Sequence, residues 1–151
     1  MGCTGPIIIL IDESNLSFYK DNINTFFPEV NVVYAFEKMQ VWADARMYVS
    51  RIYKITDIFP KSEIYGISSQ IQRAAVSVVS NIAEGMCRKT PKDQVRFIEI
   101  AYGSLIETYC QLIIALDLIY ITEEQFQVLK KDIAKISNML NALSNTISKR
   151  I

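Results

Sequence analysis

What most constrains this chain is the scarcity of glycine and proline after residue 35. From Phe36 onward only Pro60, Pro91, Gly66, Gly85 and Gly103 interrupt it, and neither residue type occurs between Ser104 and Ile151. So few breakers over so long a stretch require long helices joined by short connections. The beginning differs. Gly2, Gly5, Pro6 and Pro28 fall there with Asn15, Asn22, Asn24 and Asn31, and no period is sustained. Residues 1–35 therefore read as an irregular N-terminal extension, poorly ordered or dispensable, and residues 36–151 as one domain.

Apolar spacing divides that domain into four helices. Val41, Ala45, Tyr48, Ile52, Ile55 and Phe59 recur at alternating steps of 4 and 3, one helical stripe that Pro60 stops. Ser68 is placed as the cap of a second helix with inward residues Ile71, Ala75, Val78 and Ile82, and Gly85 is placed to end it in the left-handed conformation. Thr90 as cap, Pro91 at the first position and Asp93 near the N-terminus mark a third helix, predicted to run to about Ile119. Thr122 and Gln125 have capping-box spacing, and the fourth helix follows with Phe126, Leu129, Ile133, Ile136, Leu140, Leu143 and Ile147. Their mean step of about 3.5 is the period of near-parallel helix packing. The expected fold is all-α, an up-down-up-down antiparallel four-helix bundle preceded by the irregular extension.

Composition limits the chemistry. Half of the 151 residues are apolar and 21% are charged, which excludes a disordered chain. The absence of histidine removes the commonest general base and zinc ligand, and with them the serine–histidine and cysteine–histidine nucleophile pairs. Bundle di-iron sites use Glu-x-x-His pairs, so Glu84 and Glu107 point to no metal, and no cofactor is expected. Cys3, Cys87 and Cys110 are too few and too far apart for a disulfide framework, as in a cytoplasmic protein with reduced thiols. The run Pro6–Ile11 is far shorter than the roughly 20 residues that span a bilayer, and no membrane partner is expected.

The third helix is apolar most of the way round. Beside Ile98, Leu105, Leu112 and Leu116 it carries Phe97, Ile100, Tyr102, Ile106, Tyr109, Ile113 and Ile114. One core needs a stripe of about 100°, so the surplus wants a second partner. Another copy of the chain is the simplest, with wrapping by the first 35 residues as the alternative.

Two polar features remain. Arg73, Asn81 and Glu84 on the second helix, with Ser104 and Glu107 on the third, lie among the small residues Ser77, Ser80, Ala83, Gly85 and Gly103. This spacing suits a hydrogen-bonded network at a helix or subunit contact, against the plainer reading of a solvated surface. Arg88, Lys89, Lys92 and Arg96 straddle the link between these helices and make one corner basic. That corner is either an ordinary soluble surface or a contact for nucleic-acid phosphates. Trp42 and Tyr48 read as core. Net charge is zero, yet one basic and four acidic residues precede Phe36, while fifteen basic and twelve acidic residues follow it.

The run from Phe36 to Ala45, the central Ser69–Arg88 stretch with Ser80-Asn-Ile-Ala-Glu-Gly85, and Arg96–Glu107 together resemble a bacterial four-helix-bundle family. Its first members are encoded in intervening sequences of 23S ribosomal RNA genes, and it resembles the accessory variability protein of diversity-generating retroelements. The resemblance spans Phe36 to about Ile147. It implies a homo-pentameric barrel without enzymatic activity and, for the retroelement relatives, binding of RNA or DNA and of a reverse transcriptase through a basic surface. The family often carries two consecutive arginines; this chain departs from that with Gln72-Arg73, and its single Arg73 is counted with the basic corner as a nucleic-acid candidate. The expected function is a non-enzymatic oligomeric scaffold or adaptor with sequence-tolerant nucleic-acid binding; the alternative is a protein–protein interaction module.

Overall fold

The computed structural model describes residues 33–151, and the expectations placed on the preceding residues, Cys3 and the Pro6–Ile11 run included, lie outside them. Four α-helices follow in order: α1 Gln40–Thr56, α2 Ile67–Met86, α3 Pro91–Asp117 and α4 Glu123–Ser148. Each packs on its sequence neighbours, and α4 closes the ring against α1. A 3-10 turn at Ala35–Lys38 leads into α1, and another at Lys61–Glu63 precedes α2. The expected four-helix bundle is thus formed by residues Tyr34–Ile151, one compact unit.

The apolar stripes meet in its centre. Tyr48, Ile52, Ile71, Val78, Ile82, Ile98, Leu105, Leu112, Ile136 and Leu140 are fully buried. Each such aliphatic side chain contributes about 1.5–3 kcal/mol relative to exposure. Two polar pairs that enter this core each join two helices and so offset the cost of desolvation, whereas the buried Gln111 Oε1 has no partner among the described residues. Tyr48 on α1 donates to Thr108 Oγ1 on α3 at 2.8 Å, and Gln72 Nε2 on α2 donates to Thr56 Oγ1 on α1 at 2.7 Å. Burial pushes the Tyr48 phenol far above its ordinary range, so it stays a neutral donor. Trp42 is half-buried against the core, with the Arg46 guanidinium 5.2 Å from its ring centre.

The helix ends depart from several expectations. α1 stops at Thr56, before Pro60, and Phe59 folds back through a turn to bury itself and pack at a tilt against Tyr120, with ring centres 5.5 Å apart. Ser68 is no cap: Gly66 holds that position, Ser68 is buried within α2, and Glu63 Oε2 accepts from the Ile67 N–H at 3.2 Å. Gly85 lies inside α2 with ordinary negative φ, and the helix continues to Met86. Its role is close approach: a Cβ there would stand 2.8 Å from the Phe97 Cβ on α3. α3 ends at Asp117, and Ile119 takes φ 61°, the left-handed position of a Schellman cap. In that cap Tyr120 N–H donates to Ala115 O at 2.8 Å and Ile119 N–H to Leu116 O at 2.9 Å. The caps Thr90 and Thr122 stand as expected, each accepting from the N–H three residues on at 3.2 Å.

Ions hold the α1/α4 seam. Arg51 pairs with Asp132, and Lys135 Nζ lies 2.8 Å from Oδ2 of the buried Asp44, whose Oδ1 accepts from Gln40 at 3.1 Å. The Lys135 ammonium keeps the Asp44 carboxyl below its ordinary pKa, outweighing burial. A depressed carboxylate stabilises the fold above its unfolded value of about 3.9 and loses that contribution as pH falls through the folded value. Lys135→Met should lower stability at pH 7 by about 1–2 kcal/mol and flatten the acid limb of the stability curve, read by urea titration across pH. Gly85→Ala gains about 1 kcal/mol of helix propensity but forces α2 from α3. A net loss of about 1–2 kcal/mol in the same titration is expected, because overpacking outweighs propensity.

Candidate interaction surfaces

Folding α3 into the bundle commits one face and leaves the other bare. Ala101, Leu105, Leu112 and Ala115 face inward, while Tyr102 and Tyr109 pack on the core's edge. Ile100, Ile106, Ile113 and Ile114 remain 37–44% exposed, at steps that make one outward stripe with Gly103 and the exposed Cys110. Gly103 is unusual there. Among the described residues a Cβ there would meet nothing within 4 Å, so no contact among them requires a glycine in mid-helix, where it costs about 0.5–1 kcal/mol relative to alanine. By length and composition α3 is also the one described helix apolar enough to cross a bilayer, although its inner face is already spent on the core.

The outer face of α2 adjoins this stripe. A groove of about 800 Å³ lies over it, bounded by Tyr53 of α1, Arg73, Val76 and Ser77 of α2, and Glu107 of α3. Arg73 and Glu107 therefore share a groove, yet among the described residues they form no ion pair. Glu107 instead accepts from Gln111 Nε2 at 3.2 Å, and Glu84 pairs with Arg88. Asn81 and Ser104 are brought together through Ser77: the Ser77 and Ser104 hydroxyls are 2.8 Å apart, and Asn81 Nδ2 donates to Ser77 Oγ at 3.0 Å. The centre of this α2/α3 contact is thus Ser77, which the candidate network left out.

Arg88, Lys89, Lys92 and Arg96 do cluster, at the end of the bundle where α2 turns into α3. The Arg88 guanidinium sits 4.5 Å from the Phe97 ring centre while pairing with Glu84, and Arg96 flanks the same ring at 6.0 Å. Lys89 and Lys92 are exposed. Arg73 lies about 22 Å away along the α2 direction, at 1.5 Å per residue, and belongs to the groove rather than to this cluster. Up-down alternation brings Lys38, Lys149 and Arg150 to the basic end as well. They were legible from the order of the helices but not from local spacing. Among the described residues no group of histidine, cysteine, aspartate or glutamate could hold a metal ion.

Residues 37–142 match the family model described as 23S rRNA-intervening sequence protein. Among solved structures the fold is similar to that of a protein of unknown function from the S23 ribosomal protein family of Bacteroides thetaiotaomicron. The two share 25% identity over 69% of this chain and 97% of that one, with a TM-score of 0.63. Among curated proteins none matches significantly. The bundle, the Ser80–Gly85 stretch at the α2/α3 contact and a match over most of the four helices lead to one assignment: the chain belongs to the 23S rRNA-intervening sequence protein family.

Proposed function

We propose that this protein is a non-enzymatic scaffold that assembles with copies of itself through the outer face of α3, and that the assembly offers its basic ends to nucleic-acid phosphates. The observation that carries the reading is the exposed Ile100–Ile114 stripe, which holds a glycine that no contact among the described residues needs. Apolar side chains exposed in register along a helix gain by burial against a second surface, and a glycine lets two backbones approach. The five-fold ring implied by the resemblance is the form we propose for the assembly. Cyclic symmetry would point every basic end the same way, so that Lys89 and Lys92 recur around one rim. Contacts of this kind read charge rather than sequence and weaken steeply with salt. The non-enzymatic reading rests on the missing histidine and on the absence of a nucleophile–base pair among the described residues.

Ile106→Glu is expected to reduce the mass in solution to that of the monomer, read by light scattering; an unchanged assembly would place the interface elsewhere. Gly103→Ala separates packing from propensity. In the Ile106→Glu background it should raise stability by about 0.5–1 kcal/mol, whereas in the wild type it should weaken assembly. For nucleic acid, titration against RNA and duplex DNA should give binding whose logarithm falls linearly with log salt, with a shallower slope for Lys89→Ala/Lys92→Ala. No binding at low salt would remove phosphate contact from the proposal and favour a protein partner for the same surfaces.

A further inference from the structure

The end of the bundle opposite the basic cluster breaks two local rules at one turn. Ile119 holds the left-handed φ of 61°, where the branched side chain clashes with its own backbone, and it is 87% exposed, so no packing inside the unit compensates. Asp117 occupies the last turn of α3, where a negative charge opposes the helix dipole and no basic residue offsets it. The left-handed turn itself satisfies two carbonyls of the cap, but an isoleucine in place of glycine, and an acid at Asp117, gain nothing within the fold and point to a contact outside it.

The surroundings define what that contact wants. Leu118 is 49% and Tyr65 95% exposed, and Tyr65 belongs to the α1–α2 connection, which is tied to this turn where Tyr120 Oη donates to Glu63 at 3.3 Å. Around these apolar residues lie the exposed acids Asp57, Asp117, Glu123 and Glu124, none in an ion pair among the described residues, with Lys61 the exposed base of the same connection. The other end carries the exposed bases Lys38, Lys89, Lys92, Lys149 and Arg150 against the exposed acids Glu37 and Asp93, and the same end holds Tyr34, half-exposed and stacked on Phe36 at 5.7 Å.

We infer that this apolar, acidic tip docks onto the basic, aromatic end of a second copy of the chain, head to tail. Both halves of the complementarity belong to the same bundle, so the contact joins unlike surfaces and is open-ended. It is distinct from the side-by-side contact of α3 and depends neither on that contact nor on nucleic-acid binding. Opposed charges drive it, so it is strong at low ionic strength and screened at high. Ile119 and Leu118 then bury against the Tyr34–Phe36 ledge, which accounts for an isoleucine where the cap prefers glycine.

Sedimentation velocity of the full chain across concentration is the test. At about 20 mM salt the mean mass should rise with concentration without a plateau, and at about 500 mM it should fall to one species. Glu123→Lys/Glu124→Lys should abolish the rise, as should Lys89→Glu/Lys92→Glu, whereas the four changes together should restore it. If the lysine pair disturbs folding, judged by circular dichroism, Lys149→Glu/Arg150→Glu serves in its place. Ile119→Gly should raise the melting temperature and yet weaken the low-salt association about tenfold. A mass independent of salt, or a folded four-fold variant that fails to restore association, would overturn the inference. Ile106→Glu measured at about 500 mM salt reports on the side-by-side contact alone, so the two readings fail separately.

Discussion

The closeness of α2 to α3 governs the rest of the molecule. Gly85 admits the Phe97 backbone side, and the Ser77 and Ser104 hydroxyls meet at 2.8 Å where larger residues would hold the helices apart. At these small residues short-range dispersion and satisfied hydroxyls add to the apolar burial of Ile71, Val78 and Ile82 of α2 and of Ile98 and Leu105 of α3. The contact also sets the rotation of α3. With Ser104, Leu105 and Thr108 turned inward, Ile100, Ile106 and Ile113 can only face out. The exposed apolar stripe is thus a geometric consequence of the tightest contact in the bundle.

The opposite seam is made differently. α1 and α4 are held by Arg51–Asp132 and Asp44–Lys135 at their margin, with aliphatic packing beneath. Asp44 keeps its charge inside the bundle because Lys135 and Gln40 together offset desolvation. One seam is therefore sensitive to side-chain volume and the other to proton concentration.

Much of this was legible in the residues alone. The period of 3.6 places Ile71, Ala75, Val78 and Ile82 on one line without any knowledge of the other helices, and all four are fully buried. Thr90 and Thr122 cap as local chemistry dictates. The failures share a cause. Gly85 reads as a terminator because a lone glycine near a helix end usually is one, yet its use here is set by Phe97, twelve positions on and on another helix. Ser68 is an adequate cap in isolation, but Glu63 reaches the same N-terminus from the preceding turn and Ser68 is drawn into the core. Arg73 and Glu107 line one groove, yet Glu107 accepts from Gln111 on its own helix, because the partner of a long side chain depends on rotamers that spacing does not specify.

The sequence by itself determined the number, order and inner faces of the helices, because periodicity, caps and breakers are properties of local backbone and solvent. It also determined the family, through the Phe36–Ala45, Ser69–Arg88 and Arg96–Glu107 stretches. Only the tertiary structure decided which small residues mediate close approach and which charges are paired. Those outcomes depend on residues far apart in the chain being brought within a few ångströms, and no local rule encodes that distance.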